Sequence, residues 1–151
     1  MAADGLRTLA PDLVALAYGA NEGNDLRYTM EQYEKDLGNV LRQLRAALPD
    51  TACVLIGPSD RGVKIDDHTF GVWDRTRPIA DVQRAVAPQY GCAFWDWQAA
   101  MGGPGSMIGW YQQTPPLAAN DLLHFTQPGY ERAGDMFLQA LDAAALDAMA
   151  H

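Results

Sequence analysis

The chain has 151 residues, 48% of them hydrophobic and 20% charged, a composition that suits a single globular domain, 1–151, able to bury a core. Eleven basic residues against nineteen acidic ones leave a formal charge of −8, which argues against a nucleic-acid partner, because phosphates call for a basic surface. No apolar run reaches the length of a membrane span, and the opening MAADGLRTLA lacks the basic start and apolar stretch of a secretory signal.

In chain order, PDLVALAYG (11–19) is a short apolar run ending in glycine, which predicts a strand buried on both faces. The period changes at Thr29. Tyr33, Leu37, Val40, Leu41, Leu44 and Leu48 make one helical stripe, and Thr29 with Gln32 supplies a capping box at its start. TACVLIG (51–57) predicts a second buried strand, closed by Pro58. Residues 58–77 are polar and follow neither period. Pro78 suits the first turn of a second helix with Ile79, Val82, Val86 and Tyr90 on its inner face. CAFWDW (92–97) predicts a third strand, and the Gly- and Pro-rich residues 98–123 read as loop with a helical turn or two. The last helix begins near Thr126 with Tyr130, Ala133, Phe137, Leu138 and Leu141 as its stripe. Strands alternating with helices predict an α/β fold with a parallel sheet. Function in such folds gathers beyond the carboxyl ends of the strands, here in loops 19–28, 58–77 and 98–124.

Few residues are suited to a metal or to thiol chemistry. Cys53 and Cys92 each fall in a predicted strand, lack metal-ligand spacing and read by default as buried free thiols, the alternative of a disulfide having no support in the sequence. Asp66, Asp67 and His68 are residue types that can ligate a metal but read better as a solvated loop, and neither His68 nor His151 has a recognisable partner, so no metal is implied. Trp73, Trp95, Trp97 and Trp110 suit either a sugar platform or core packing. Trp95 and Trp97 alternate with Asp96, which favours packing for at least one.

Two loops carry candidate chemistry. NDLLHFTQPGY (120–130) places Asp121 three positions before His124. A carboxylate at that spacing can fix the tautomer of a general-base histidine, and the same residues also suit a surface histidine beside a helix cap. In YGANEGND (18–25), Gly19 lets the backbone turn off the strand, and Asn21 sets an amide at the sheet's carboxyl edge. That amide can donate to a developing negative charge or simply form a turn.

Taken together these stretches resemble the SGNH, or GDSL, hydrolases. LAYGANEGND resembles the family's asparagine block in its YGTNE-type variant, and DLLHFTQPGY its closing block. FWDWQAAMGGPGSMIGW (94–110) resembles a segment of members close to peptidoglycan and polysaccharide O-acetylesterases. The resemblance covers essentially the whole chain. It implies a three-layer, flavodoxin-like α/β fold with a parallel sheet, and ester hydrolysis without a cofactor. It further implies a small-molecule or polysaccharide ester as substrate, with O-deacetylation of a polysaccharide or peptidoglycan as the reaction. His124 would be the general base, Asp121 the holder of its tautomer, Asn21 an oxyanion donor and Gly19 the shaper of its loop. Gly102 and Gly103, with Gly105, would let substrate approach the backbone, or else form an ordinary flexible loop.

The family's Gly-Asp-Ser block, and the block carrying a second oxyanion glycine, have no counterpart here. The chain is therefore expected to represent the carboxyl-terminal half of such a domain, lacking its first strands, with the nucleophilic serine outside it. Its two serines, Ser59 and Ser106, do not sit in a Gly-x-Ser-x-Gly elbow. Strand 13–18 would then present an apolar edge, to be covered by self-association or by a completing chain. The alternatives are a carbohydrate-binding remnant that cannot cut and one half of a split enzyme. Family members are often exported to the cell envelope, but this chain alone leaves localisation open.

Overall fold

The computed structural model describes residues 2–66 and 68–149, so Asp67 and His151 lie outside the described residues. In chain order the elements are α1 (Ala2–Leu9), β1 (Leu13–Ala17), α2 (Met30–Ala47), β2 (Ala52–Ile56), β3 (Gly62–Lys64), β4 (Phe70–Val72), α3 (Thr76–Val86), β5 (Ala93–Trp95), α4 (Trp97–Met101), α5 (Ser106–Tyr111) and α6 (Gln127–Met149). The fold is α/β, with two units that each draw on two stretches of chain. Met1–Pro58 joins Arg75–Asp96 in the first, and Ser59–Asp74 joins Trp97–His151 in the second.

The first unit holds a parallel sheet in the order β1-β2-β5. Helix α2 starts at the expected capping box, with Gln32 N donating to Thr29 Oγ1 at 3.2 Å and Thr29 N to Gln32 Oε1 at 3.0 Å. Its stripe of Tyr33, Leu37, Leu41, Leu44 and Leu48 packs with Ile79 and Val86 of α3 over Val14, Leu16, Leu55 and Phe94 on one sheet face. Arg45 fastens the end of α2 to the loops that precede two strands. Its guanidinium donates to the carbonyls of Thr51 at 2.6 Å, Tyr90 at 2.7 Å and Gly91 at 2.8 Å.

Two expectations for this unit are corrected. Strand β1 is not buried on both faces: Leu13 is 42% exposed, Ala15 and Ala17 are exposed, and only the alternate residues Val14 and Leu16 pack on the core. It is the terminal strand of the three, and an apolar run reports hydrophobicity without reporting what covers it. Cys53 and Cys92 are not free thiols but form a disulfide with Cα atoms 4.6 Å apart. The cause is register. Val54 lies beside Ala93 across the parallel β2–β5 ladder, so the residues one step earlier are lateral neighbours within bridging distance. The inner face of α3 also differs: Ile79, Ala80, Gln83 and Val86 are buried and Val82 only half so.

The second unit opens with an antiparallel hairpin, β3–β4, in which Gly62 pairs with Val72 and Lys64 with Phe70. Asp66 closes its loop by accepting from the backbone N–H of His68 and Thr69, both at 2.8 Å. Strands of three residues are too short to show a period, which is why 58–77 read as irregular. Met101, Met107, Trp110, Ala118, Leu122 and Phe125 form the core here. Trp97 begins α4 instead of extending a strand, and it stacks on Phe125 at 5.2 Å, with Trp110 edge-on to the same ring at 5.6 Å. Thr126 caps α6 by accepting from Gly129 N at 3.3 Å. Of the expected α6 stripe Ala133 is buried, whereas Tyr130 and Leu138 are 54% and 59% exposed. Among the described residues no helix is long and apolar enough to cross a membrane.

Candidate active site

In the second unit, the turn enclosed by the Ala118–Phe125 bridge brings Asp121 and His124 together. Asp121 Oδ1 accepts from the backbone N–H of Leu123 at 3.0 Å and of His124 at 2.9 Å. Its other oxygen, Oδ2, lies 2.7 Å from His124 Nδ1. A carboxylate at that nitrogen favours the tautomer with the proton on Nδ1, so Nε2 keeps its lone pair as a base. The ring is accessible, at 66% side-chain exposure. The bond to the His124 ring holds the Asp121 carboxyl at about 2, assisted by the His124 and Leu123 backbone N–H groups and opposed by slight burial.

Gly102 and Gly103 belong to the same unit. Both have positive φ, 117° and 88°. Gly103 N donates to Gln98 O at 2.8 Å and Gly102 N to Ala99 O at 3.0 Å, the paired bonds of a Schellman ending to α4. Their N–H groups are thus spent on the helix end and are not offered to a substrate oxygen. The space where a Cβ of Gly103 would stand is open, so close approach of a ligand is the contribution that remains to it. Gly105 is held by its own positive φ, 90°, as the residue before α5. One face of Trp73 carries the Arg61 guanidinium at 4.5 Å.

Gly19 and Asn21 are in the first unit, in the loop that leaves the carboxyl end of β1. Gly19 adopts φ 106°, and a Cβ there would stand 2.5 Å from Ile79 Cγ2, so glycine is required on both counts. Gly19 N donates to Glu22 Oε2 at 3.0 Å, so its N–H is satisfied within the loop and its role there is conformational. Asn21 is exposed. The loop rests on Gln83, which is fully buried and donates to Tyr18 O at 2.9 Å and to Tyr33 Oη at 2.7 Å. Burial pushes the Tyr33 hydroxyl well above the usual phenol range.

Sequence reasoning passed over Glu22, Gln83 and Asp60. Asp60 is fully buried, accepting from Gln98 Nε2 at 2.8 Å and from Met107 N at 2.9 Å, and so ties α4 to the start of α5. A polar residue on an otherwise apolar helix face was the available signal for Gln83. The Oγ of Ser106 is buried and has no hydrogen-bond partner among the described residues, whereas Ser59, after β2, is half-buried.

A family model for GDSL-like lipases and acylhydrolases matches residues 2–132. Among solved structures, a peptidoglycan O-acetylesterase is 32% identical with a TM-score of 0.83, over 95% of this chain and 41% of its own. The periplasmic domain of a lipopolysaccharide acetyltransferase from Salmonella ser. Paratyphi A is 14% identical with a TM-score of 0.65, over 92% of this chain and 60% of its own. Phospholipase A1 from Streptomyces albidoflavus is 19% identical with a TM-score of 0.59, over 87% and 68%. The last two share the fold alone, and the chain spans less than two thirds of the first two. No curated protein matches it by sequence. With a matched stretch that takes in the Asn21 loop, the Asp121–His124 turn and the start of α6, the chain belongs to the GDSL-like lipase/acylhydrolase family.

Proposed function

We propose that this chain carries the base and an oxyanion donor of an esterase that removes O-acetyl groups from a polysaccharide or peptidoglycan. His124 Nε2 takes the proton of a serine hydroxyl as it attacks the ester carbonyl, and returns it to the departing sugar oxygen. Asp121 holds the tautomer and offsets the charge that the ring gains. Asn21 donates its amide to the oxyanion. The observation that carries this reading is the 2.7 Å bond between Asp121 Oδ2 and His124 Nδ1, with the rest of the ring exposed. The likeness to a peptidoglycan O-acetylesterase supports the substrate class.

The nucleophile in this reading lies outside the chain, because Ser106 Oγ is buried and Ser59 lies outside any nucleophile elbow. The burial of Ser106 Oγ also favours a second reading, a module that holds acetylated glycan without cutting it. The Cys53–Cys92 disulfide supports an oxidising compartment. The deciding experiment is acetate release from O-acetylated peptidoglycan by the native protein isolated from its host, compared with His124→Ala made in the same host. Loss of release in the variant supports the esterase. Equal release by both overturns it, and binding without release by the wild type leaves the holding module.

A further inference from the structure

We propose that Gly62 and Leu122 position the Asp121–His124 pair, through a close backbone approach that locks Leu122 into a conformation a side chain at 62 would destroy. The proposal rests on the esterase reading for its catalytic meaning, though its geometry stands apart from it. Leu122 has φ 56°, in the left-handed region that leucine adopts unwillingly. Three anchors hold it there. Its side chain is 1% exposed, packed with Met107, Trp110 and Phe125. Its N–H donates to Ala119 O at 3.1 Å, and its carbonyl accepts from Gly62 N at 2.9 Å.

That last bond requires the first residue of β3 to come very close. A Cβ at 62 would stand 2.9 Å from Leu122 Cβ and 3.0 Å from its Cδ1, inside ordinary carbon–carbon contact. Only glycine allows this approach. With Leu122 held from beneath, the chain reverses so that Asp121 Oδ1 meets the N–H groups of Leu123 and His124 while Oδ2 meets the ring. A side chain at 62 would lift Leu122 and separate the carboxylate from the ring without touching either. Gly62 and Leu122 are therefore positioning residues, and the hairpin β3–β4 is the platform for the pair.

Gly71 supplies the control. It pairs with Val63 in the same hairpin, and a Cβ there would crowd only Ile65 and Val63, at 3.1 and 3.2 Å. The experiment reads the His124 tautomer by long-range proton–nitrogen NMR on the folded chain at about pH 9, where free imidazole is neutral. Wild type and Gly71→Ala should show the Nδ1–H form. Gly62→Ala should shift the ring population toward the Nε2–H form. In the native protein it should also lower kcat on the order of a hundredfold with KM unchanged, as small misplacements of a catalytic group do.

An unchanged tautomer in folded Gly62→Ala overturns the proposal. If Gly62→Ala does not fold, the test moves to Leu122→Ala, which removes the buried side-chain anchor and keeps the backbone groups of both bonds. A shift of its ring population toward the Nε2–H form supports the proposal, and an unchanged tautomer overturns it. The tautomer comparison needs no turnover, so an inactive wild type would sink the esterase reading while leaving the positioning role decided on its own terms.

Discussion

At Asp121 the two carboxylate oxygens divide their work, one gripping the backbone of its own turn and the other reaching the His124 ring. Asp121→Asn keeps the shape of the turn but offers the ring an amide in place of a charge. In the native protein it should cut turnover by as much as about ten-thousandfold with little change in KM. His124→Ala should nearly abolish turnover, and Asn21→Ala should cost on the order of a hundred- to a thousandfold. Steady-state kinetics on acetyl esters checks all three. The depressed carboxyl, at about 2, also has a consequence for stability. A carboxyl whose pKa is lower folded than unfolded stabilises above its unfolded value near 4, and loses that contribution as pH falls through about 2. Asp121 is 46% exposed, so screening holds the effect to roughly 1 kcal/mol or less. Urea unfolding of wild type and Asp121→Asn should differ at pH 7 and converge near pH 2.

At the scale of elements, local rules were legible and register was not. The Thr29–Gln32 capping box, the α2 stripe and the Asp121–His124 spacing are each set by residues a few positions apart, so their patterns are visible in the sequence. The Cys53–Cys92 pair depends on which strands lie side by side and how they slide, and nothing near either cysteine records that. The hairpin was hidden by its three-residue strands, and with it the hold that Gly62 has on the candidate site. For α6 the period marked apolar positions correctly, but Tyr130 and Leu138 remain exposed, since amphipathic spacing does not say how much of a face is covered. Two tests belong here. Reducing the disulfide, or Cys53→Ser with Cys92→Ser, should cost about 2–5 kcal/mol in denaturant unfolding. Gly129→Ala sets a Cβ against the Leu117 carbonyl, a backbone atom that cannot swing aside. It should cost on the order of 3 kcal/mol in the same measurement.

For the whole molecule, the proposal that the nucleophile lies outside the chain and the exposure of strand β1 set the expectations. The chain alone should hydrolyse p-nitrophenyl acetate poorly, since loss of a triad nucleophile costs around a millionfold. Rapid turnover abolished by Ser59→Ala would show that the serine is in the chain after all. β1 ends the sheet of its unit and leaves Leu13 and its neighbouring alanines exposed. Such a strand invites pairing with another chain. Sedimentation at rising concentration should show self-association that Leu13→Lys weakens, and a monomer at every concentration would remove that proposal.

The way the two units share the chain bears on how the protein can be made and cut. The polypeptide leaves the first unit after Pro58, returns at Arg75 and leaves again after Asp96. During synthesis the first unit cannot close until the ribosome has passed Asp96, so β1 and α2 must wait, half-finished, while the hairpin emerges ahead of its own partners. No gene fragment ending between those borders encodes a whole unit, and a protease nick anywhere in 59–74 divides the peptide chain of both units in one cut. The two fragments would stay tethered all the same, because Cys53 lies before the nick and Cys92 after it. Inheritance follows the same logic: recombination inside this stretch would damage both units together, so they are expected to travel through evolution as one cassette.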